Sequence, residues 1–480
     1  ATTANNESIV AVDRGSSTFR VLYVSGRPNW EYAFLRRAIT EDTQTQLVGL
    51  IRIAKREPKF QFRGRAGESS NPLFRGFGQQ SKEEIERYDQ PVLIRLNTQD
   101  EFELRDGFPK TADELFKYRA VIVDDLESEF FSAEQMALLQ RFVSHRGGGF
   151  MMLGGAESFA EGNFDRTPIG DMLPVYLNKA VAGHEHEPLH LGLTREGWLQ
   201  PWIRLRATEA DETRRLAELP SFDVLNNARE IKPAAMVLAT VREGGRDRPA
   251  LVTQRFGRGR TAALLIGDLW HSGLGDESLQ KDLGRTWRQT VRWLVADVPD
   301  AIELRVETEQ GEGKLKLQLR VRDPKFLPID NASVRVKITP ILHPEAALTL
   351  AADASSREPG LYECEFLPRE SGGYRAEATA ADENGAALGG AQTGWATNLA
   401  ADEFRSLSPN VALMESIARQ SGGALVRKEK LAEFVEELPA KRAPVTETVT
   451  HPIWHTPLFF SFALICFVGE WGIRRLKGLA

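Results

Sequence analysis

GGGFMMLGGAESFAEGNF, residues 147–164, decides how the first three hundred residues are read. Gly147–Gly149 stop a helical pattern, because glycine tolerates the left-handed backbone at a helix end. FMMLGG (150–155) is then a short apolar run closed by two glycines, the mark of a strand buried on both faces. Upstream, AEQMALLQRFVSH has helical spacing and starts after Ser132, a good N-cap. RAVIVDDL (119–126), TQLVGLIRI (45–53) and RVLYVSG (20–26) repeat the buried-strand pattern. NWEYAFLRRAITED (29–42) follows the first of them as a helix capped by Asn29. Buried strands alternating with helices predict a parallel α/β sheet covered on both faces. AAMVLATV, PALVTQRFG and RTAALLIGD, between 234 and 268, read as a β-rich continuation of that sheet. The helix at 279–297 closes the domain, with Pro299 as punctuation.

From about 301 the apolar period changes to two, through AIELRVET, KLKLQLRVRD, ASVRVKITP, GLYECEFLP and GYRAEATAAD. Short alternating strands with turn signals predict an antiparallel β-sandwich. The expected layout is a trailing strand of a missing upstream domain at 1–18, the α/β domain at 19–300 and an Ig-like sandwich at 301–398. A small α-rich segment (399–438), a proline-bearing linker (439–452), a membrane helix (453–473) and a tail (474–480) complete it.

The net charge of −6 over 480 residues gives no footprint for nucleic acid. Cys364 and Cys466 are the only cysteines, too few for a disulfide framework or a thiolate metal site. No motif calls for a cofactor, and none is expected. The chain begins at Ala1 with no signal-like stretch and reads as the C-terminal part of a longer polypeptide. Near its end, PLFFSFALICFV lies between Trp454 and Trp471, the expected aromatic belt of a membrane span. Arg474, Arg475 and Lys477 follow, so the positive-inside rule puts the C-terminus in the cytoplasm and the body outside a bacterial inner membrane.

VLYVSGRPNWEYAFLRRAI, GLIRIAKREPKFQFRGR, the 147–164 stretch and TPIGDMLPVYL together resemble the glutamine amidotransferase-like domain of large bacterial membrane proteins. Such proteins are typical of planctomycete-type genomes and often carry an upstream von Willebrand factor A-type region. The resemblance continues through ALVTQRFGRGRTAALLIGDLWHSGL and the C-terminal anchor. It implies a flavodoxin-like sheet of the class I amidotransferase type, an Ig-like module and a periplasm-facing body.

Amidotransferase chemistry needs a cysteine on a strand-to-helix elbow, with an oriented histidine beside it. After the 150–155 strand stand Gly154, Gly155, Ala156, Glu157 and Ser158, with no cysteine. His271 has no glutamate two residues on. The expectation is therefore a catalytically degenerate domain, a pseudoenzyme, that binds a protein partner or a small ligand. Its binding rim comprises Arg27, Asn29, Glu31, Asp124, Asp125, Glu157 and Ser158, at strand ends where open α/β sheets take ligands. The alternative is a hydrolase using Asp124, Ser158 or His271 at the same rim, or a metal held by His184, His186 and His190 of HEHEPLH. For the histidines the commoner reading is a polar loop, and for Ser158 a helix N-cap. The loop at 55–80 interleaves basic and aromatic residues and reads as a protein or glycan contact.

Overall fold

The computed structural model describes residues 18–54, 92–177, 188–228, 230–243, 245–308, 314–397, 411–437 and 456–478. The strand read within 1–18, the loop at 55–80, His184, His186 and the linker at 439–452 lie outside them. The chain divides into two compact units, Ala1–Asp402 and Glu403–Ala480.

In the first unit, β1 (Phe19–Ser25), α1 (Trp30–Thr40) and β2 (Thr45–Ala54) are followed by β3 (Val92–Leu96) and the one-turn helix α2 (Ala112–Leu115). Next come β4 (Ala120–Asp124), α3 (Ala133–Ser144), β5 (Gly149–Leu153), α4 (Pro168–Met172) and β6 (Val175–Tyr176). β7 (His190–Leu193), α5 (Arg195–Trp198), α6 (Glu209–Ala217) and β8 (Glu230–Ile231) lead to β9 (Met236–Glu243), β10 (Arg246–Phe256) and β11 (Gly259–Leu264). The long helix α7 (Glu277–Val295) ends this part. Local chemistry sets the helix starts. The Asn29 side chain accepts the Tyr32 N–H at 3.0 Å, and Ser132 and Gln135 form a reciprocal capping box on α3.

Nine strands form one sheet in the order β3-β2-β1-β4-β5-β11-β10-β9-β7. Here the structure corrects the expectation of a flavodoxin-like parallel sheet, because the sheet is mixed. β2, β1, β4, β5 and β11 run parallel, while β3 is antiparallel at one edge and β10 pairs antiparallel with both β11 and β9. Connection length is the physical reason. Gly257, at φ 59°, and Arg258 alone join β10 to β11, and a connection that short permits only a hairpin. Apolar side chains alternate between two cores. Leu22, Val24, Val121 and Val123 face α3, whereas Val21, Tyr23, Ile122 and Met151 face α1 and α7.

The expected Ig-like sandwich is also corrected. β12 (Ile302–Thr308), β13 (Leu315–Val321), β14 (Ser333–Pro340), β15 (Leu348–Ala354), β16 (Leu361–Phe366), β17 (Gly372–Ala381) and β18 (Ala387–Thr397) form one continuous antiparallel sheet. β15 bonds to both β14 and β16, merging what would otherwise be two facing sheets. The sheet curls until its first and last strands, β12 and β18, lie side by side around one core that includes Leu317, Val336 and Ala376.

In the second unit, α8 (Val411–Gln420) and α9 (Leu431–Glu437) precede α10 (Pro457–Leu476). By length and composition α10 can cross a membrane, and none of its apolar window is covered by protein. The helix continues through Arg474 and Arg475, and Arg474 pairs with Glu470 at 2.7 Å. One turn apart on a helix, these opposite charges neutralise each other at the end of the apolar run.

Candidate functional site

The chain passes from β1 to β2 on one side of the sheet and reaches β4 on the other, so β1 and β4 part at a topological switch point. Crevices at the carboxyl ends of such strands are where open α/β sheets bind ligands. Ser25 and Asp124 are register partners there, and the Gly26 N–H donates to the Asp124 carbonyl at 3.1 Å. A Cβ on Gly26 would lie 2.0 Å from the Asp125 carbonyl oxygen, so no larger residue fits.

Asp124 is buried, with 2% of its surface exposed. Its Oδ2 accepts hydrogen bonds from the Tyr23 hydroxyl and, at 2.5 Å, from Asn29 Nδ2. Neither donor is a cation. Burial, reinforced by the nearby Asp125 charge and opposed by the Tyr23 and Asn29 donors, pushes the Asp124 carboxyl up to about 7. Burial first, then the Asp124 and Asp268 charges, push Glu31 up to about 8, against hydrogen bonds from its own N–H and that of Trp270. Two neighbouring carboxyls thus hold protons near neutral pH, a pattern that concentrates at functional sites.

Asp125 has a different task. At φ 44° it takes the left-handed conformation, its Oδ1 accepts the Glu157 N–H at 2.8 Å, and its carboxylate pairs with Arg27. Ser158 is 1% exposed, and its Oγ accepts the Asp125 N–H at 3.2 Å. Asn226 clamps the same turn, accepting from Gly155 N at 3.0 Å and donating to Gly155 O at 2.9 Å. Below them Arg52 donates to Gly26 O at 3.0 Å and bidentately to Glu127, with Glu157 at 3.5 Å. These groups form a brace that fixes the loops around Asp124.

Of the residues picked from sequence, Asn29, Asp124 and Glu31 converge on one point, and Arg27, Asp125, Glu157 and Ser158 form the adjoining brace. Ser158 caps no helix. The segment after β5 is a series of turns, because Phe159, Asn163 and Arg166 sit at φ 56°, 57° and 57°. The elbow required for a serine nucleophile is therefore absent. His271 lies on the helical turn Leu269–Leu274 with its ring 4.0 Å from that of Trp270, and no hydrogen bond joins it to Ser158 among the described residues. His190 is exposed on β7, and no group of three metal-binding side chains occurs among the described residues.

Sequence reasoning missed Tyr23, Arg52, Asn226 and Trp270. Arg52 had a signal, as a lone charge inside an otherwise apolar strand. The others carry none, since what brings each to the site, Asp124 for Tyr23, Gly155 for Asn226 and Trp30 for Trp270, is distant in the chain. Trp270 donates its Nε1–H to Asp268 at 3.2 Å and stacks on Trp30 with ring centroids 6.2 Å apart. Trp30 is 56% exposed, so the carboxyl pair is flanked by an open aromatic surface. The arrangement can store or pass a proton, accept and donate hydrogen bonds, and stack on a flat or apolar face.

No family model matches the chain, and no curated protein matches it. Similar solved structures include a β-galactosidase from Bacillus circulans sp. alkalophilus, at 14% identity and TM-score 0.23, covering 53% of this chain and 33% of that chain. Another is the β-galactosidase from the Antarctic haloarchaeon Halorubrum lacusprofundi, at 15% identity and TM-score 0.22, covering 54% of this chain and 33% of that one. The chain spans about a third of the length of these enzymes, and likenesses so distant carry no argument about activity. With the mixed sheet and the missing elbow, the amidotransferase expectation and the pseudoenzyme reading built on it are withdrawn.

Proposed function

We propose that this protein is a membrane-anchored binding protein that takes a small polar ligand at the β1–β4 rim. The observation that carries the reading is Asp124, a buried carboxyl met only by neutral donors, beside Glu31, whose carboxyl is pushed up to about 8, and the Trp30–Trp270 stack. A ligand group that hydrogen-bonds this pair gains from its low-dielectric setting, and the indoles supply stacking area. In this reading α10 anchors the body, and Arg474 and Arg475 at its end favour, by the positive-inside rule, a cytoplasmic C-terminus with the body outside a bacterial inner membrane.

The test is to incubate the full chain in lipid nanodiscs with the small-molecule fraction of a bacterial extract. Retained compounds are identified by mass spectrometry, with Asp124→Asn and Trp270→Ala run in parallel. A compound enriched by the native chain and lost from both variants is expected. Identical retention by all three proteins would overturn the reading. A second reading, acid–base hydrolysis at the same rim, draws on the raised Asp124 and Glu31 carboxyls alone. Turnover of the retained compound, lost on Asp124→Asn, would select it.

A further inference from the structure

A second site lies on the α7 side of the sheet, separate from the rim. Met151, Ala239 and Leu264 form the floor of a cavity of about 80 Å³, with Trp202, Leu216 and Trp287 around it. Its walls are almost wholly apolar. The one charged wall residue, Arg215, is neutralised by the buried Glu212, which it meets at 3.1 Å and 2.5 Å. Of its hydroxyls, Thr286 is already spent on the Asp282 carbonyl at 3.0 Å.

One polar atom among the lining residues has no partner. Trp202 is held by stacking on Trp293, with centroids 4.5 Å apart and planes 16° from parallel, yet its buried indole N–H has no acceptor. Leaving such a donor unmet costs about 1–3 kcal/mol, and native structures rarely tolerate it without a reason. Water is a poor remedy, since it needs two or more polar partners and apolar cavities of this kind stay dry.

We infer that this cavity is a binding site for a compact, neutral, apolar molecule bearing one hydrogen-bond acceptor, which meets the Trp202 N–H. A small cyclic ketone has the required chemistry, an apolar ring with one acceptor. The turn Leu269–Leu274 supplies Leu269 and Ser272 to the cavity and Trp270 to the rim, so one segment borders both sites.

Saturation-transfer NMR with cyclopentanone on the full chain in lipid nanodiscs tests the assignment, with cyclopentane as the probe lacking an acceptor. The native chain is expected to give a saturable signal above that of empty nanodiscs. Ala239→Leu, which fills the floor, removes it for both probes. Trp202→Phe removes the N–H together with the five-membered ring of the indole; cyclopentane reports the change of shape alone, and relative to it cyclopentanone weakens about fivefold, the worth of one neutral hydrogen bond. Should Ala239→Leu fail to fold, Trp202→Phe decides alone. The assignment is overturned if the native chain shows no saturable signal, or if Trp202→Phe binds the ketone as tightly as the native chain does.

Discussion

The two ends of the nine-stranded sheet each bury a charged group, and they use it in opposite ways. At the carboxyl ends, Asp124 is surrounded by neutral donors, and burial pushes its pKa up to about 7. At the amino ends, Arg146 is 3% exposed with no ion pair among the described residues, and burial pushes it down to about 9. Arg146 is spent entirely on structure. It donates to the carbonyls of Phe116 and Pro299, and its guanidinium lies 3.8 Å from the centroid of Phe326 in the curled sheet. Beside it Arg119 pairs with Asp300, and Arg322 reaches the Asp300 carbonyl at 2.7 Å. The lesson is that burial alone does not mark a site. Asp124 shares its field with a second raised carboxyl, Glu31, which in turn accepts from the Trp270 backbone N–H, whereas Arg146 is closed off by a neighbouring domain.

The largest expected effect separates the two ends by pH. An acid raised in the folded state binds more protons folded than unfolded, so its stabilisation is complete below its ordinary value and falls as pH rises. For Asp124 the window runs from 3.8 to about 7. The integrated loss is on the order of 4 kcal/mol. Asp124→Asn should flatten the stability curve across this window, measured by urea unfolding from pH 4 to pH 8, and should lower the Glu31 carboxyl toward its ordinary range. Arg146 behaves otherwise. A base lowered to about 9 is charged in both states below that value, so its burial cost is constant there and eases only above it. Arg146→Ala should therefore destabilise by about 2 kcal/mol, because it strands two backbone carbonyls, and equally at pH 5 and pH 8. A pH-dependent loss would break the contrast.

Smaller changes sharpen it. Gly155→Ala sets a Cβ 2.7 Å from Asp125 Oδ1 and should cost about 1–3 kcal/mol as the brace shifts. Ser158→Ala orphans the buried Asp125 N–H and should cost about 1–2 kcal/mol in thermal unfolding, with ligand retention intact. Glu470→Gln removes an exposed pair on α10 and should change helix stability by less than about 0.5 kcal/mol.

Much of the element pattern was legible because it is local. Asn29 and Ser132 mark helix starts by their own side chains, and Val121–Val123 and Phe150–Leu153 are recognisable as buried strands by composition. Strand direction was less legible, since it depends on partners. β3 reads as an exposed, unremarkable run, and its pairing with β2 is set across residues 55–91. The merged β15 and β16 are joined by only Asp353↔Glu363 and Ala354↔Tyr362, a register that no turn signal encodes. The site was half legible for the same reason. Strand-end rules gave Asp124 and Asn29, but Tyr23, buried within β1, and Trp270, far along the chain, become visible only when the sheet brings them together.

The curled sheet has a consequence for life beside a membrane. Because β12 and β18 lie against each other, each partly shields the other's edge from another molecule. Copies held on one bilayer through a membrane-crossing α10 would meet far more often than free ones. A domain whose outermost strands shield each other can be crowded in this way with less tendency to zip to its neighbour.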